Sequence, residues 1–404
     1  MFFMKSEKKD LTFLYSLHQF IYWASIGGVV SFAATYLTAK GFSAANVGWI
    51  LFSAYILSFL LQPVLASYAD RSGKNIIPKM MLCLSAAAFL CFSAVRFVRL
   101  SMPVFFVLYA AGIMFLDMCV PLLNSVVLYF NRRGWSIQYG LGRGFGGFGF
   151  AIATLVFGNV IEAFGVDTLL LSAIGCIAAA ALISFLYPRG EEMLPAETGQ
   201  TQEVSSLLQF IRRYRWYCAS LFGVLFLAMF HSMVENYMIE VLRPIGGDNS
   251  NVGMALFIAT VTELPSMTAF PAIRKKLGSK RVLIIAGIGY TVRAVLFYLA
   301  GSVAAVYVAQ CLQCITYVFL STVQMYYADE CTSAADMVKG QSLITAFYTL
   351  GCAVGNLIGG NLISLFGVPV MLVSGVVMAA LGLVILLCTV SKALRPGAFS
   401  ENMS

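Results

Sequence analysis

Charge is what this sequence most lacks. Only 11% of its 404 residues are Asp, Glu, Lys or Arg, against about a quarter in a soluble domain, while 60% are hydrophobic and the mean hydropathy is +0.85. That balance excludes water as the main solvent of the chain. Segments of about ten alternating residues are also missing, which argues against a membrane barrel. In lipid a crossing segment must satisfy its own backbone, so long apolar runs read as helices of about 20 residues each. Ten cysteines are present, but most, such as Cys83, Cys119 and Cys352, lie inside apolar runs without metal-ligating neighbours. Cys311-Leu-Gln-Cys314 has redox or zinc spacing yet no second pair, so it reads as packing. No disulfide, metal or cofactor is expected. No nucleophile–base set or phosphate loop stands outside the apolar runs. Gly144-Phe145-Gly146-Gly147-Phe148-Gly149 imitates a dinucleotide fingerprint, but no strand precedes it. An enzyme is therefore not expected.

What is present is a series of twelve apolar runs. The sequence predicts an all-α membrane protein with helices over 12–37, 46–67, 76–95, 103–130, 139–162, 167–187, 216–241, 252–271, 282–300, 303–327, 340–365 and 369–391. The first run is far longer than the core of a signal peptide, so it is expected to remain as a crossing helix. Residues 188–215 are polar and read as a linker. The expected organisation is an N-terminal six-helix bundle (1–187), a cytoplasmic linker (188–215), a C-terminal six-helix bundle (216–391) and a cytoplasmic tail (392–404). With both termini inside, twenty of the 26 Lys and Arg fall on the cytoplasmic side and four outside. That asymmetry is the positive-inside pattern, and it accounts for the +8 net charge without nucleic acid. The expected location is the cytoplasmic (inner) membrane.

The two halves repeat one another. Asn46-Val47-Gly48 and Gly73 recur as Asn251-Val252-Gly253 and Gly278, offset by 205. Gly158-Asn159-Val160-Ile161 with Phe164-Gly165-Val166 recurs as Gly360-Asn361-Leu362-Ile363 with Phe366-Gly367-Val368, offset by 202. Six helices per half is an even number, so the halves enter the membrane in the same sense. Parallel repeats of this kind place a solute site between the halves.

With those residues in hand, the chain resembles the major facilitator superfamily over its whole length. Gln62-Pro63 followed by Asp70-Arg71-Ser72-Gly73-Lys74 is similar to that superfamily's cytoplasmic loop motif. Its second copy runs from Arg274 to Arg281 around Gly278 and lacks the acid. Asp70, Arg71, Gly73, Lys74 and Gly278 are accordingly the expected gating-loop residues. Within the superfamily the chain resembles the lactose permease and the oligosaccharide, nucleoside and phenylpropionate permease-like proteins. The carrying residues are Tyr139-Gly140-Leu141-Gly142-Arg143-Gly144-Phe145-Gly146-Gly147-Phe148-Gly149-Phe150 in the fifth helix, Glu263 in the eighth and Arg293 in the ninth. The resemblance implies that Arg143 and Glu263 bind solute and that Arg293 lies beside the protonation site. Ser125 stands where that branch carries a fourth-helix glutamate, and Gln313 and Thr316 stand where its tenth helix carries histidine and glutamate. Galactoside specificity and the branch's usual proton relay are therefore not implied.

Charge near the bilayer centre costs several kcal/mol, so the few ionisable residues within the runs are functional candidates. Glu263 lies midway along the eighth helix, with Pro265 expected to break the helix just beyond it. The alternative for Glu263 is an ion pair with Arg293 that only fastens two helices. Asp117 has no base within two turns on its own helix and reads as a lone carboxylate able to take up a proton. His231 and Glu235, four apart, share one helix face, and His231 reads equally as a titrating or a packing group. Arg143 is placed either to snorkel to the surface or to grip a hydroxylated or anionic solute with its planar fork. The expected substrate set is Arg143, Glu263, Asn124 and Trp23, and the expected proton-coupling set is Asp117, Glu235, His231, Glu263 and Arg293. Trp23 and Tyr55 are among the rings placed to stack on a solute. The expectation is a monomeric secondary transporter of a small organic solute, in the sugar, nucleoside or aromatic-acid class. It works by alternating access and proton symport. Proton-coupled efflux of drugs or metabolites is the alternative, against which stands a fifth helix without proline. A membrane sensor or scaffold without transport is a third reading.

Overall fold

Each apolar run becomes a helix because its backbone has no other partner in lipid. The structure is a computed structural model that describes residues 10–71, 76–131, 134–188, 206–333 and 336–393. The first half comprises α1 (Thr12–Ile26), α2 (Ala33–Ala39), α3 (Ala44–Arg71), α4 (Ile76–Phe97), α5 (Met102–Asn131), α6 (Tyr139–Phe164) and α7 (Asp167–Leu186). Then follow α8 (Leu207–Arg213), α9 (Arg215–Asn236), α10 (Met238–Leu242), α11 (Asn249–Leu299), α12 (Val303–Cys311), α13 (Tyr317–Cys331), α14 (Met337–Phe366) and α15 (Val368–Ala393).

Among the described residues ten helices are long and apolar enough to cross a membrane, and the pair from Thr12 to Ala39, bent by 47°, supplies one more. The 51-residue α11 is about 76 Å long at 1.5 Å per residue, more than twice a hydrocarbon core of about 30 Å. It is two crossings. Gly278 divides them with φ 75° and ψ 157°, a conformation a side chain would strain. Twelve crossings result.

The bend after α1 has a local cause. Gly27 and Gly28 begin a π-helical stretch, Gly27–Ser31, where the backbone presses against α6 and α7. A Cβ on Gly28 would lie 2.9 Å from that of Ala173 and 3.1 Å from the Phe157 ring. The tenth crossing is broken as well: α12 passes through a 3₁₀ turn, Leu312–Cys314, before α13. The proline break expected after Glu263 does not occur. Helical geometry runs through Pro265 and Pro271, and Gly278 is the non-helical residue inside α11. A proline removes one hydrogen bond and tilts a helix, but a positive φ turns the chain.

The repeat is written in the packing. In the first half α1 packs on α6 and α4 on α5 and α7; in the second, α9 packs on α14 and α11 on α13 and α15. Between the halves, α3 lies along α14 and α6 along α11. These two contacts are the same contact repeated, and their closest points are the glycines of the repeated motifs. A Cβ on Gly48 would come within 2.7 Å of the Asn356 carbonyl oxygen. On Gly360 it would strike the Ala44 carbonyl, on Gly253 the Thr154 carbonyl and on Gly158 the Asn249 carbonyl. The positive-φ turns repeat too, Gly41 (89°) with Gly246 (82°) and Gly165 (85°) with Gly367 (84°). The halves thus meet tightly at the ends where α3 and the first part of α11 begin. Asn249 donates to Glu162 there at 2.6 Å and the Ala45 amide to Ser364 Oγ at 2.8 Å.

The last third of the expected polar linker is helical: Ser206 and Gln209 form a capping box at the start of α8. Gly73 and Lys74 of the expected gating loop, and the side chains of Asp70 and Arg71, lie outside the described residues.

Candidate functional site

Where the halves diverge, a cavity of about 300 Å³ opens between them, at the low end of the range for small-molecule sites. Arg143 of α6 and Glu263 of α11 line it from opposite halves. Arg143 faces inward, and its guanidinium stacks over the Trp23 ring of α1 at 4.5 Å. Glycines make this possible: Cβ atoms at Gly142, Gly146 and Gly149 would strike Tyr15, Trp23 and the Phe20 backbone. Without them α1 and α6 could not approach closely enough to hold the arginine on the ring.

Gln313 shares the cavity lining with Glu263. The 3₁₀ turn of the tenth crossing places Gln313 on that wall. Glu263 does not pair with Arg293. The fully buried Arg293 donates to Glu235 Oε1 of α9 at 2.7 Å and also to Gln310. The ion-pair alternative was correct in kind and wrong in partner, because a carboxylate on α9 lay closer to the α11 arginine than one on the same chain segment. Glu235 keeps one edge on the cavity while Arg293 sits behind it.

Asp117 of α5 lines the opposite wall, and it is not solitary. Ser58 donates to its Oδ2 at 2.5 Å and Gln62 at 3.2 Å, both from α3. Sequence inspection of one helix could not show partners supplied by another. His231 faces the cavity and stacks on Tyr317, ring centroids 5.2 Å apart and nearly parallel at 19°. Asn124 is not brought to the site; it lies outward on α5 and does not line the cavity.

Rings complete the lining. Tyr55, Phe150, Tyr317 and Tyr348 join Trp23. Of these, Phe150 ends the fifth-helix motif that carries the resemblance, whereas Tyr317 and Tyr348 were not singled out by sequence, since aromatic residues are common along every helix. Asn236 also reaches the wall and donates to Asn356 at 2.8 Å. Two polar atoms of the residues lining the second-half side, Gln313 Oε1 and His231 Nδ1, have no partner among the described residues. Buried polar groups are almost always hydrogen-bonded, so this wall has bonding capacity to offer to solute or water; the unpartnered atoms of Arg293, Gln310 and Tyr290 lie behind the lining.

Comparison with known proteins follows the same line. A family model described as "MFS_1 like family" matches residues 12–372. The maltose permease of Geobacillus stearothermophilus is 26% identical over 283 residues, covering 68% of each chain. A transporter of Bacillus subtilis, YwbF, is 22% identical over 292 residues, 71% of this chain and 70% of its own. A crystal structure of a variant of the nucleoside transporter NupG superposes with a TM-score of 0.74 over 94% of this chain and 99% of the other, at 14% identity.

Proposed function

The chain belongs to the MFS_1-like family of major facilitator transporters, and from that premise we propose that it carries a small hydroxylated or ring-bearing organic solute, sugar, nucleoside or aromatic acid, by alternating access with proton symport. The observation that supports this most is the placement of Arg143 and Glu263 on the lining of one cavity, one from each half. A solute that bridges them links the two bundles, so its binding energy can drive the closure that moves the site from one side to the other. The guanidinium fork donates to two hydroxyl or carboxylate oxygens, and the Glu263 carboxylate accepts hydrogen bonds from hydroxyls. Trp23 and Tyr317 supply faces for a ring. The relatedness to a maltose permease favours the sugar member of that set.

Proton coupling rests on the carboxylates that share the cavity. Glu235 is bonded to Arg293 on one side and faces the cavity on the other. Neutralising it would free Arg293 to bond elsewhere, which ties its protonation to the packing of the wall. Glu263 and Asp117 are the other candidates, with His231 beside them. The excess of Lys and Arg on one side assigns both termini to the cytoplasm, and the tight glycine contacts then lie on the outer face. In this arrangement the protein is closed outside and its cavity opens inward.

The test is uptake into energised inside-in vesicles of a panel of sugars, nucleosides and aromatic acids. We expect one class to accumulate when the outside is acid and to stop accumulating with a protonophore. If no member of a broad panel moves, the reading fails; if a class is expelled under the same gradient, the efflux alternative replaces it.

A further inference from the structure

We propose that α8 and the adjoining ends of α9 and α15 form a docking site for an anionic phospholipid. α8 has seven residues, yet it is pinned rigidly. Its Phe210 is fully buried and packs on Tyr214 and Tyr217, ring centroids 4.7 Å and 6.3 Å away. Tyr214 in turn donates to Asp336 Oδ2 at 3.0 Å, and its hydroxyl oxygen accepts from the Ser333 amide at 3.2 Å.

The opposite face of α8 is apolar and uncovered. Leu208 is 64% exposed and Ile211 46%, and residues three apart share a helix face. Beside that face the bases gather. Arg212, Arg213 and Arg215 are exposed. Arg215 lies 5.5 Å from the Trp216 ring, and Lys392, from the end of α15, lies 4.4 Å from the same ring. No acidic residue occurs in 206–218 or 386–393, and Asp336, the acid that Tyr214 bonds, is buried. α9 begins here and α15 ends here, and both are crossing helices. The patch therefore lies at a membrane boundary, the level that favours tryptophan and long basic side chains.

These features together select the occupant. A headgroup phosphate meets Arg212, Arg213, Arg215 and Lys392, while the upper acyl chain meets Leu208 and Ile211. A free anion has no use for the apolar pair, and a zwitterionic lipid has little use for four bases. Anchored this way, α8 would hold the end of the linker flat on the leaflet as the two halves rock.

The experiment takes the full chain purified in a neutral detergent. Phosphatidylglycerol, phosphatidylcholine and inorganic phosphate are each titrated, and retained adducts are counted by native mass spectrometry. Preferential retention of phosphatidylglycerol is expected, weakened by salt and falling about fivefold for each arginine removed in Arg212→Gln and Arg213→Gln, the equivalent of ~1 kcal/mol per base. Leu208→Ser/Ile211→Ser should also lower retention by at least about fivefold. An unchanged melting temperature shows that each variant is folded. Equal retention of both lipids overturns the proposal. So does competition by phosphate with no effect of Leu208→Ser/Ile211→Ser, which marks a free-anion site. A dimer lost on Ile211→Ser overturns it as well, by assigning the face to a second copy.

Discussion

Glu235 and Arg293 carry the most consequential residue-level contact, a charge pair between α9 and the second part of α11 in which the arginine has no exposure at all. Removing one member leaves the other buried without its partner, which costs about 3–5 kcal/mol, whereas removing both together is often close to neutral. Glu235→Ala is therefore expected to lower the melting temperature in detergent by several degrees, and Glu235→Ala/Arg293→Met to recover most of the loss. Equal and additive losses in the two single variants would show that the pair is not energetically coupled. Arg143 and Glu263 behave differently, because both face the cavity, where the proposed solute would bond to them. Arg143→Lys keeps the charge but loses the fork, and about a tenfold fall in affinity is expected, near the ~1.5 kcal/mol of one charged hydrogen bond. Glu263→Gln should reduce solute affinity by a similar factor while leaving stability unchanged, as followed by equilibrium binding and thermal unfolding. The ionisable residues of this site were legible in the sequence because charge is so scarce in the apolar runs. Their pairing was not: Arg293 finds Glu235 rather than Glu263, and Asp117 finds Ser58 and Gln62, because those contacts depend on how separate helices are turned toward each other.

Glycines govern the elements. At Gly253 a Cβ would strike the Thr154 carbonyl, and at Gly360 the Ala44 carbonyl. Backbone cannot retreat as a side chain can. Gly253→Leu and Gly360→Leu are therefore expected to wedge apart the α6–α11 and α3–α14 contacts. Spin labels placed across that face should report a wider separation than in the unmodified chain, and solute binding should change with it; an unaltered distance would mean that the contact is not what closes this face. Gly278 has a different role, turning the chain at φ 75° between two crossings. Gly278→Ala should cost on the order of 1–3 kcal/mol, because φ 75° with ψ 157° is a backbone region essentially confined to glycine, measurable as a lower melting temperature. Helix positions were readable to within a few residues, since run length follows from bilayer thickness. Irregularities inside the helices were less so. The π-helical bend at Gly27–Ser31 and the 3₁₀ turn at Leu312–Cys314 arise from packing between helices, and Pro265, the conspicuous breaker in the sequence, breaks nothing.

At the scale of the whole molecule, the repeated segments proved to be more than a mark of duplication. Gly48 and Gly253, and Gly158 and Gly360, occupy equivalent places in two equivalent contacts, so the sequence repeat is a repeat of the joint between the halves. On the other side of that joint the halves diverge around the cavity that holds Arg143 and Glu263. A two-fold joint with a cavity beneath it is what rocking about the proposed solute site requires. The coupling of that motion to protons is the central proposal, and the most direct measurement is proton movement itself. With the protein reconstituted in liposomes that enclose a pH dye, adding the transported solute outside, with no pH gradient imposed, should acidify the lumen. Glu263→Gln should abolish that signal in folded protein. Solute entry with no accompanying acidification would contradict the account.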